Sequence, residues 1–394
     1  MDNEELEEVV KEKRYSGKVK AVIVFLLMFV ILIITFIINR KKGSDTYDTM
    51  SIVSYAEWDS SGMISYISYR NGIIKISRDG AQAISSSGKS IWNVAYNMKK
   101  PVGEVCGEYC VIADCGQKQL CIIGPDGTAN QLTLPYAISD ISIARQGVVA
   151  VLTNAGTEDY IYLFGMNSKD GTSPLCEIKT VVESSGFPIE VKISGDGKKL
   201  ATAYMKVDND EISNWITFYN FGDVGQNWID NIVGSYNSGS AFVPEILMLK
   251  NNMVVVCKDN GFYVYKVDEV PETKAIKEFT DKEVKSITAN ESYICTVLKN
   301  TSGDNRYTYV VCNADGSVRK EFQAGEEFDG ILIHGSDIMV YSSSDFTIYS
   351  IDGEKKYSGT FERNVDKIFA GNSEGCFTIT GNGYIEVVEF TKTK

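Results

Sequence analysis

The chain has 394 residues, 44% of them hydrophobic and 23% charged, with a net charge of −13. Residues 1–42 carry 8 Lys/Arg against 6 Asp/Glu, which leaves 31 against 46 in the remainder, a net of −15. So acidic a domain repels phosphate backbones and excludes nucleic acid as its partner. A single histidine, His334, excludes triads and metal centres built on several histidines.

Residues 1–18 form a charged tail that the sign rules place on the cytoplasmic side. From Ala21 to Ile38 the chain runs 18 residues with Thr35 as the one polar member. As a helix this run is about 27 Å long, near the hydrocarbon thickness of a bilayer. Lys18 and Lys20 flank one end, and Arg40, Lys41 and Lys42 the other, ready to reach the headgroups. A cleaved signal peptide would have a shorter apolar core and a small-residue cleavage site after it; here Asn39-Arg40-Lys41 follows. The run is therefore expected to be a retained single-pass transmembrane helix, residues 19–40, with 41–50 as a linker. Five basic residues before the run (Lys11, Lys13, Arg14, Lys18, Lys20) against three after it favour an inside N-terminus. The C-terminal domain is then extracytoplasmic.

Residues 51–394 repeat one unit of roughly 40–50 residues, with four short strands to each, which is the pattern of a β-propeller. Asp-Gly pairs recur at Asp79-Gly80, Asp126-Gly127, Asp170-Gly171, Asp315-Gly316 and Asp352-Gly353. They are expected at corresponding turns, with both central residues at positive φ. Eight units can be cut, at about 50–88, 89–137, 138–185, 186–238, 239–281, 282–326, 327–363 and 364–394. The last lacks an outermost strand, and the first has a spare extended stretch at residues 52–58. That stretch is expected to complete the terminal blade and close the ring, since an open blade edge is a template for aggregation. The fold class is all-β, an eight-bladed propeller, or seven if the first and last units fuse.

Ser194-Gly195-Asp196-Gly197-Lys198-Lys199-Leu200-Ala201 resembles the hairpin between the inner two strands of a blade in WD40-like and TolB-like propellers. Paired Gly-His and Trp-Asp signatures of true WD40 repeats are missing. The apolar run, the stretch Trp92-Asn93-x-x-Tyr96-x-Met98-x-x-Pro101 and the acidic blades together resemble an uncharacterised family of membrane-anchored propellers from clostridia-type Gram-positive bacteria. The resemblance spans nearly the whole chain and implies location and fold, not activity.

Chemistry is sparse. There is no Gly-x-Ser-x-Gly elbow, P-loop or His-Glu-x-x-His helix. Nine cysteines, an odd number, do not make a disulfide framework, and most sit in apolar strand patterns as small hydrophobes. If the domain lies outside the cell, Cys106, Cys110, Cys115 and Cys121 are where a disulfide is expected; their spacing fits no zinc knuckle. The acid sets Asp208/Asp210/Glu211 and Glu326/Glu327/Asp329 are the remaining options for cation binding or carboxylate hydrolysis. Aromatics gather in the fourth and fifth units, and Trp215, Tyr219, Phe221, Trp228 and Tyr263 are the candidate binding surface. The expected function is a non-enzymatic, membrane-anchored scaffold or sensor of the cell envelope, without cofactor or metal. Loops on one face of the ring would bind another envelope protein, a peptide or a glycan. A cytoplasmic-facing adaptor of opposite topology and a carboxylate-based hydrolase are the alternatives.

Overall fold

The computed structural model describes residues 46–59, 62–303 and 305–392, together with the helical residues 24–26 and 28. The chain forms two units, one ending at Thr46 and one beginning at Tyr47. In the first, Val24, Phe25, Leu26 and Met28 are each more than half exposed. The rest of the expected tail and anchor, and residues 41–45 of the linker, lie outside the described residues. Among the described residues no helix is long and apolar enough to cross a membrane.

The second unit consists of eight antiparallel sheets of four strands. Blades 1 to 7 each use four consecutive strands, within residues 63–95, 101–133, 137–181, 187–239, 245–278, 283–324 and 330–360. Blade 8 takes its three inner strands from residues 367–391 and its outermost from Thr49–Glu57. Thr49 pairs with Thr391 and Glu57 with Tyr384, so the two chain ends share one sheet. Eight blades and closure by the extra N-terminal stretch both agree with the sequence reading.

Why the strands lie where they do follows from their patterns. In the middle of a blade both faces of a strand are covered by neighbouring blades, so Met253–Lys258 and Asp337–Tyr341 are buried at every position. Burying each Val, Ile or Phe there is worth about 1.5–3 kcal/mol. Outermost strands face water, and their composition blunts the free edge: Pro271–Glu278 and Val318–Ala324 are rich in Lys, Arg and Glu and mostly exposed.

The Asp-Gly turns differ from expectation in one detail. Four of the five join the third and fourth strands of a blade, but Asp79-Gly80 joins the second and third of blade 1. At Asp126, Asp315 and Asp352 the aspartate keeps an ordinary φ and only the following glycine enters the left-handed region, as at Gly316 (φ 81°); at Asp79-Gly80 and Asp170-Gly171 neither residue does. Asp315 instead caps its turn through the side chain, its Oδ1 accepting from the Ser317 N–H at 2.9 Å. A tight turn followed by a left-handed glycine is the longer hairpin loop with a bulge, not the two-residue one. The two-residue form does occur at Asn209-Asp210, both at positive φ, which tip the long hairpin of blade 4. The acid run from Asp208 to Glu211 is thus a hairpin tip, not a cation loop.

The hairpin that resembles the WD40-like motif joins the first strand of blade 4 (Phe187–Ile193) to the second (Lys199–Asp208), as its sequence predicts. Asp196 Oδ1 accepts from Ser194 Oγ at 2.5 Å and from the Lys198 N–H at 3.1 Å, and Leu200 is fully buried.

Candidate binding site at the channel mouth

The innermost strands of the blades surround the axis of the ring and turn one edge towards it. That edge has backbone N–H groups with no strand to pair with, and an orphan donor needs a partner. Acidic side chains supply it, each from the blade before. Asp140 of blade 3 accepts from the Val191 N–H of blade 4 at 2.8 Å, and Glu190 of blade 4 from the Ile246 N–H of blade 5 at 3.4 Å. Glu104 of blade 2 takes the Ser142 hydroxyl at 3.2 Å, and Ser142 in turn accepts from the Ile193 N–H at 3.2 Å.

These carboxylates, with Glu245, gather around one ammonium group. Lys192 donates to Glu104 Oε1 at 2.9 Å. Burial, reinforced by Glu104, pushes Asp140 up to about 6; burial and the charge of Asp140 push Glu190 up to about 8. Burial also raises Glu245. For Lys192 burial acts downwards, but Glu104, Glu190 and Asp140 outweigh it and hold the ammonium above its ordinary value. This acidic half of the channel encloses a cavity of about 500 Å³. Among the described residues no three of His, Cys, Asp and Glu stand close enough to hold a metal ion. Its acids strap blades together.

The other half of the channel opens at the end of the ring where first strands turn into second strands. A cavity of about 480 Å³ lies there across blades 2 to 5, and shares Glu104 and Lys192 with the acidic half. Its rim carries Arg145, Lys199, Lys250 and the consecutive left-handed residues Asn251 and Asn252. Its wall is apolar, from Ile143, Ile193, Leu200, Met248 and Val254. Lys250 pairs with Glu291 of blade 6, and Lys199 donates to Asn252 Oδ1 at 3.3 Å. Arg145 lies beside Cys106; burial still raises that thiol, against the pull of the guanidinium. The size suits a small ligand or a few residues of a peptide. Tyr47 brings the chain into the propeller at this same end, where it pairs with Lys356 of blade 7.

The aromatic set expected as a binding surface is not one surface. Tyr219 is 2% exposed, inside the seam between blades 3 and 4, with its hydroxyl 2.8 Å from that of Tyr204. Tyr263 is buried on the other side of blade 4, donates to Glu278 at 2.7 Å, and lies under the Lys258 ammonium at 3.9 Å. Trp215 and Tyr219 meet at a lateral recess of about 370 Å³, and Phe221 packs into the same seam. Trp228 stands apart, half exposed beside the bare Ile229.

The cysteines expected as a disulfide region are all free. Cys110 and Cys121 are buried on adjacent strands of blade 2, facing blade 1 as small hydrophobes. Cys106 lies at the mouth end of its strand, and Cys115 follows the strand that ends at Asp114 at the opposite end of the blade. Glu326, Glu327 and Asp329 do line one cavity between blades 6 and 7, yet each is engaged: by Tyr349, by Arg306 and by the Ser343 N–H. His334 bonds the Ser373 carbonyl at 2.7 Å and stacks edge-on to Phe377, a structural role. The mouth itself escaped the sequence reading; its one signal was the resemblance carried by Ser194 to Ala201, which marks a fold.

Fold and site define an eight-bladed β-propeller with a cavity at one end of its channel. Residues 43–390 match the family of unknown function DUF5711, and the chain belongs to it. No curated protein matches the chain. Among solved structures it is similar to a eukaryotic initiation factor (TM-score 0.55, 7% identity, 84% of this chain and 91% of that one). It is similar also to Sqt1 from Chaetomium thermophilum (TM-score 0.55, 10% identity, 88% and 100%). The WD40 domain of Neurospora crassa Pan2 aligns more loosely (TM-score 0.45, 7% identity, 87% and 98%). At these identities the likeness concerns the fold alone.

Proposed function

We propose that the protein is a non-enzymatic binding module, anchored in the cell membrane by residues 21–38, whose propeller receives an envelope protein or peptide at the channel mouth. The observation that carries this reading is the mouth cavity itself. Hairpins from blades 2, 3, 4 and 5 converge on it, each held by a sheet, so little ordering entropy is lost on binding. The apolar run, its basic flanks and the five-to-three excess of basic residues before it support an anchored domain outside the cytoplasm. One observation favours a second reading, the cytoplasmic adaptor: all nine cysteines are free thiols, as in a reducing compartment.

Two measurements on cells decide between them. Protease added to intact protoplasts should remove a C-terminal tag if the propeller is outside; digestion only after lysis would install the adaptor reading. A photo-crosslinking residue at Glu291, on the mouth end of blade 6, should give adducts, while one at Asp281, on the opposite end, should not. Adducts from Asp281 alone would move the binding face to the other end of the ring.

A further inference from the structure

The geometry points to a carboxylate as the group that the channel mouth recognises: Arg145 would grip the terminal carboxylate of a short, otherwise apolar peptide. This inference rests on the mouth being the binding face and adds the chemistry of its ligand.

Arg145 is placed for the task by both neighbours. Its backbone N–H donates to the Gly195 carbonyl of blade 4 at 3.0 Å. Its stem runs over Gly107 of blade 2, and its guanidinium lies alongside Gly195, two positions where no side chain competes for the space. Of the other cations of the mouth, Lys192 is paired with Glu104 and Lys250 with Glu291, while Lys199 donates to Asn252 Oδ1. Arg145 is exposed, and among the described residues it makes no ion pair. Asp196, next in sequence to Gly195, is locked into its own turn by Ser194 and the Lys198 N–H.

In a domain of net charge −15, an unpaired guanidinium at the rim of an apolar cavity is the group to explain. Its planar fork matches a carboxylate in two parallel hydrogen bonds. Lys199 adds a second positive charge to the same rim. Beneath the rim, the half-buried Val105, Met248 and Leu249 offer apolar surface for the side chains that precede such a terminus. A neutral sugar would find no aromatic platform, since the one aromatic in the lining, Phe218, is fully buried.

The test uses the full chain in detergent micelles and two probes that differ only in charge, N-acetyl-leucyl-leucine and its C-terminal amide, followed by calorimetric titration. The free acid should bind saturably, and the amide about ten- to a hundredfold more weakly. Arg145→Met should bring the acid down to the level of the amide, without lowering the melting temperature, and Arg145→Lys should keep part of the preference. Equal binding of acid and amide, no binding of either, or a preference that survives Arg145→Met each overturns the inference. Crosslinks at Glu291 without any acid preference would leave the binding face standing and remove only the carboxylate. An Arg145-dependent preference without such crosslinks would keep the carboxylate site and remove the envelope partner.

Discussion

The Tyr47 hydroxyl donates to Asp337 Oδ2 at 2.5 Å, across 290 positions of sequence, and so ties the first residue of the propeller unit to blade 7. Lys356 completes the cluster, 2.5 Å from Asp337 Oδ1 and 4.4 Å above the Tyr47 ring. Both charged side chains are almost wholly out of solvent. The outermost strand of blade 8 starts two residues after Tyr47, so this cluster seats the strand that closes the ring.

Removing the hydroxyl leaves a buried carboxylate one donor short, which costs about 1.5–3 kcal/mol. Tyr47→Phe should therefore lower the denaturation midpoint measurably. Asp337→Ala should cost more, about 3–5 kcal/mol, because it removes the carboxylate that faces the buried Lys356 ammonium. The double variant should cost less than the two singles together. A Tyr47→Phe protein that unfolds like the parent would show that closure rests on strand pairing alone.

Two glycines separate backbone strain from crowding. Gly316 has φ 81°, and a Cβ there would also strike Ala275 of the neighbouring blade. Gly171 has no positive φ, yet a Cβ on it would overlap the Thr133 carbonyl of blade 2. Both Gly→Ala changes should destabilise, Gly316→Ala by at least the roughly 1–3 kcal/mol of a strained backbone. Gly171→Ala should do so by steric overlap. An unchanged midpoint for Gly171→Ala, read by urea denaturation, would mean that blades 2 and 3 can slide apart there.

What could be read from sequence, and what could not, follows from how a propeller is built. Turns and strand spacing are local, so blade count and the closing role of residues 52–58 were legible. Faces were not. In the middle strands of a blade both faces are buried, so Tyr219 and Tyr263 look like surface aromatics and are seam residues. The axial cluster was hidden for another reason: Glu104, Asp140, Glu190 and Glu245 come singly from four different blades. Arg145 is one arginine in a turn, and only the hairpin of the next blade gives it a setting.

Thiol chemistry should follow burial. Burial pushes the Cys121 thiol up to about 12 and Cys110 well above its ordinary value, and both face blade 1. Thiolate is the reactive form, so neither should react in the folded protein. Iodoacetamide should label only among Cys106, Cys115, Cys176 and Cys376 before unfolding, and all nine afterwards, counted by mass spectrometry. Peptides joined through Cys110 or Cys121 in a non-reduced digest would replace the free-thiol picture with a disulfide.

The axial acids predict how stability depends on pH. Glu190 at about 8 and Asp140 at about 6 are raised above unfolded carboxylates, and burial raises Asp337 as well. Around neutral pH the folded chain therefore binds protons that the unfolded chain has released. Stability then falls as pH rises, because the slope follows protons bound unfolded minus folded. The loss begins above the ordinary carboxylate range and ends once pH passes about 8, the folded value of Glu190. Carboxylates held low, such as Glu278 beside Lys258 and Tyr263, act oppositely and only at acid pH below that window. The melting temperature should accordingly be higher near pH 5 than near pH 8.5. Glu190→Gln keeps an acceptor for the Ile246 N–H and cannot titrate, so it should flatten that fall. A melting temperature that rises from pH 5 to pH 8.5, or a Glu190→Gln protein with the parent slope, would mean that the axial acids ionise freely and that water fills the channel between them.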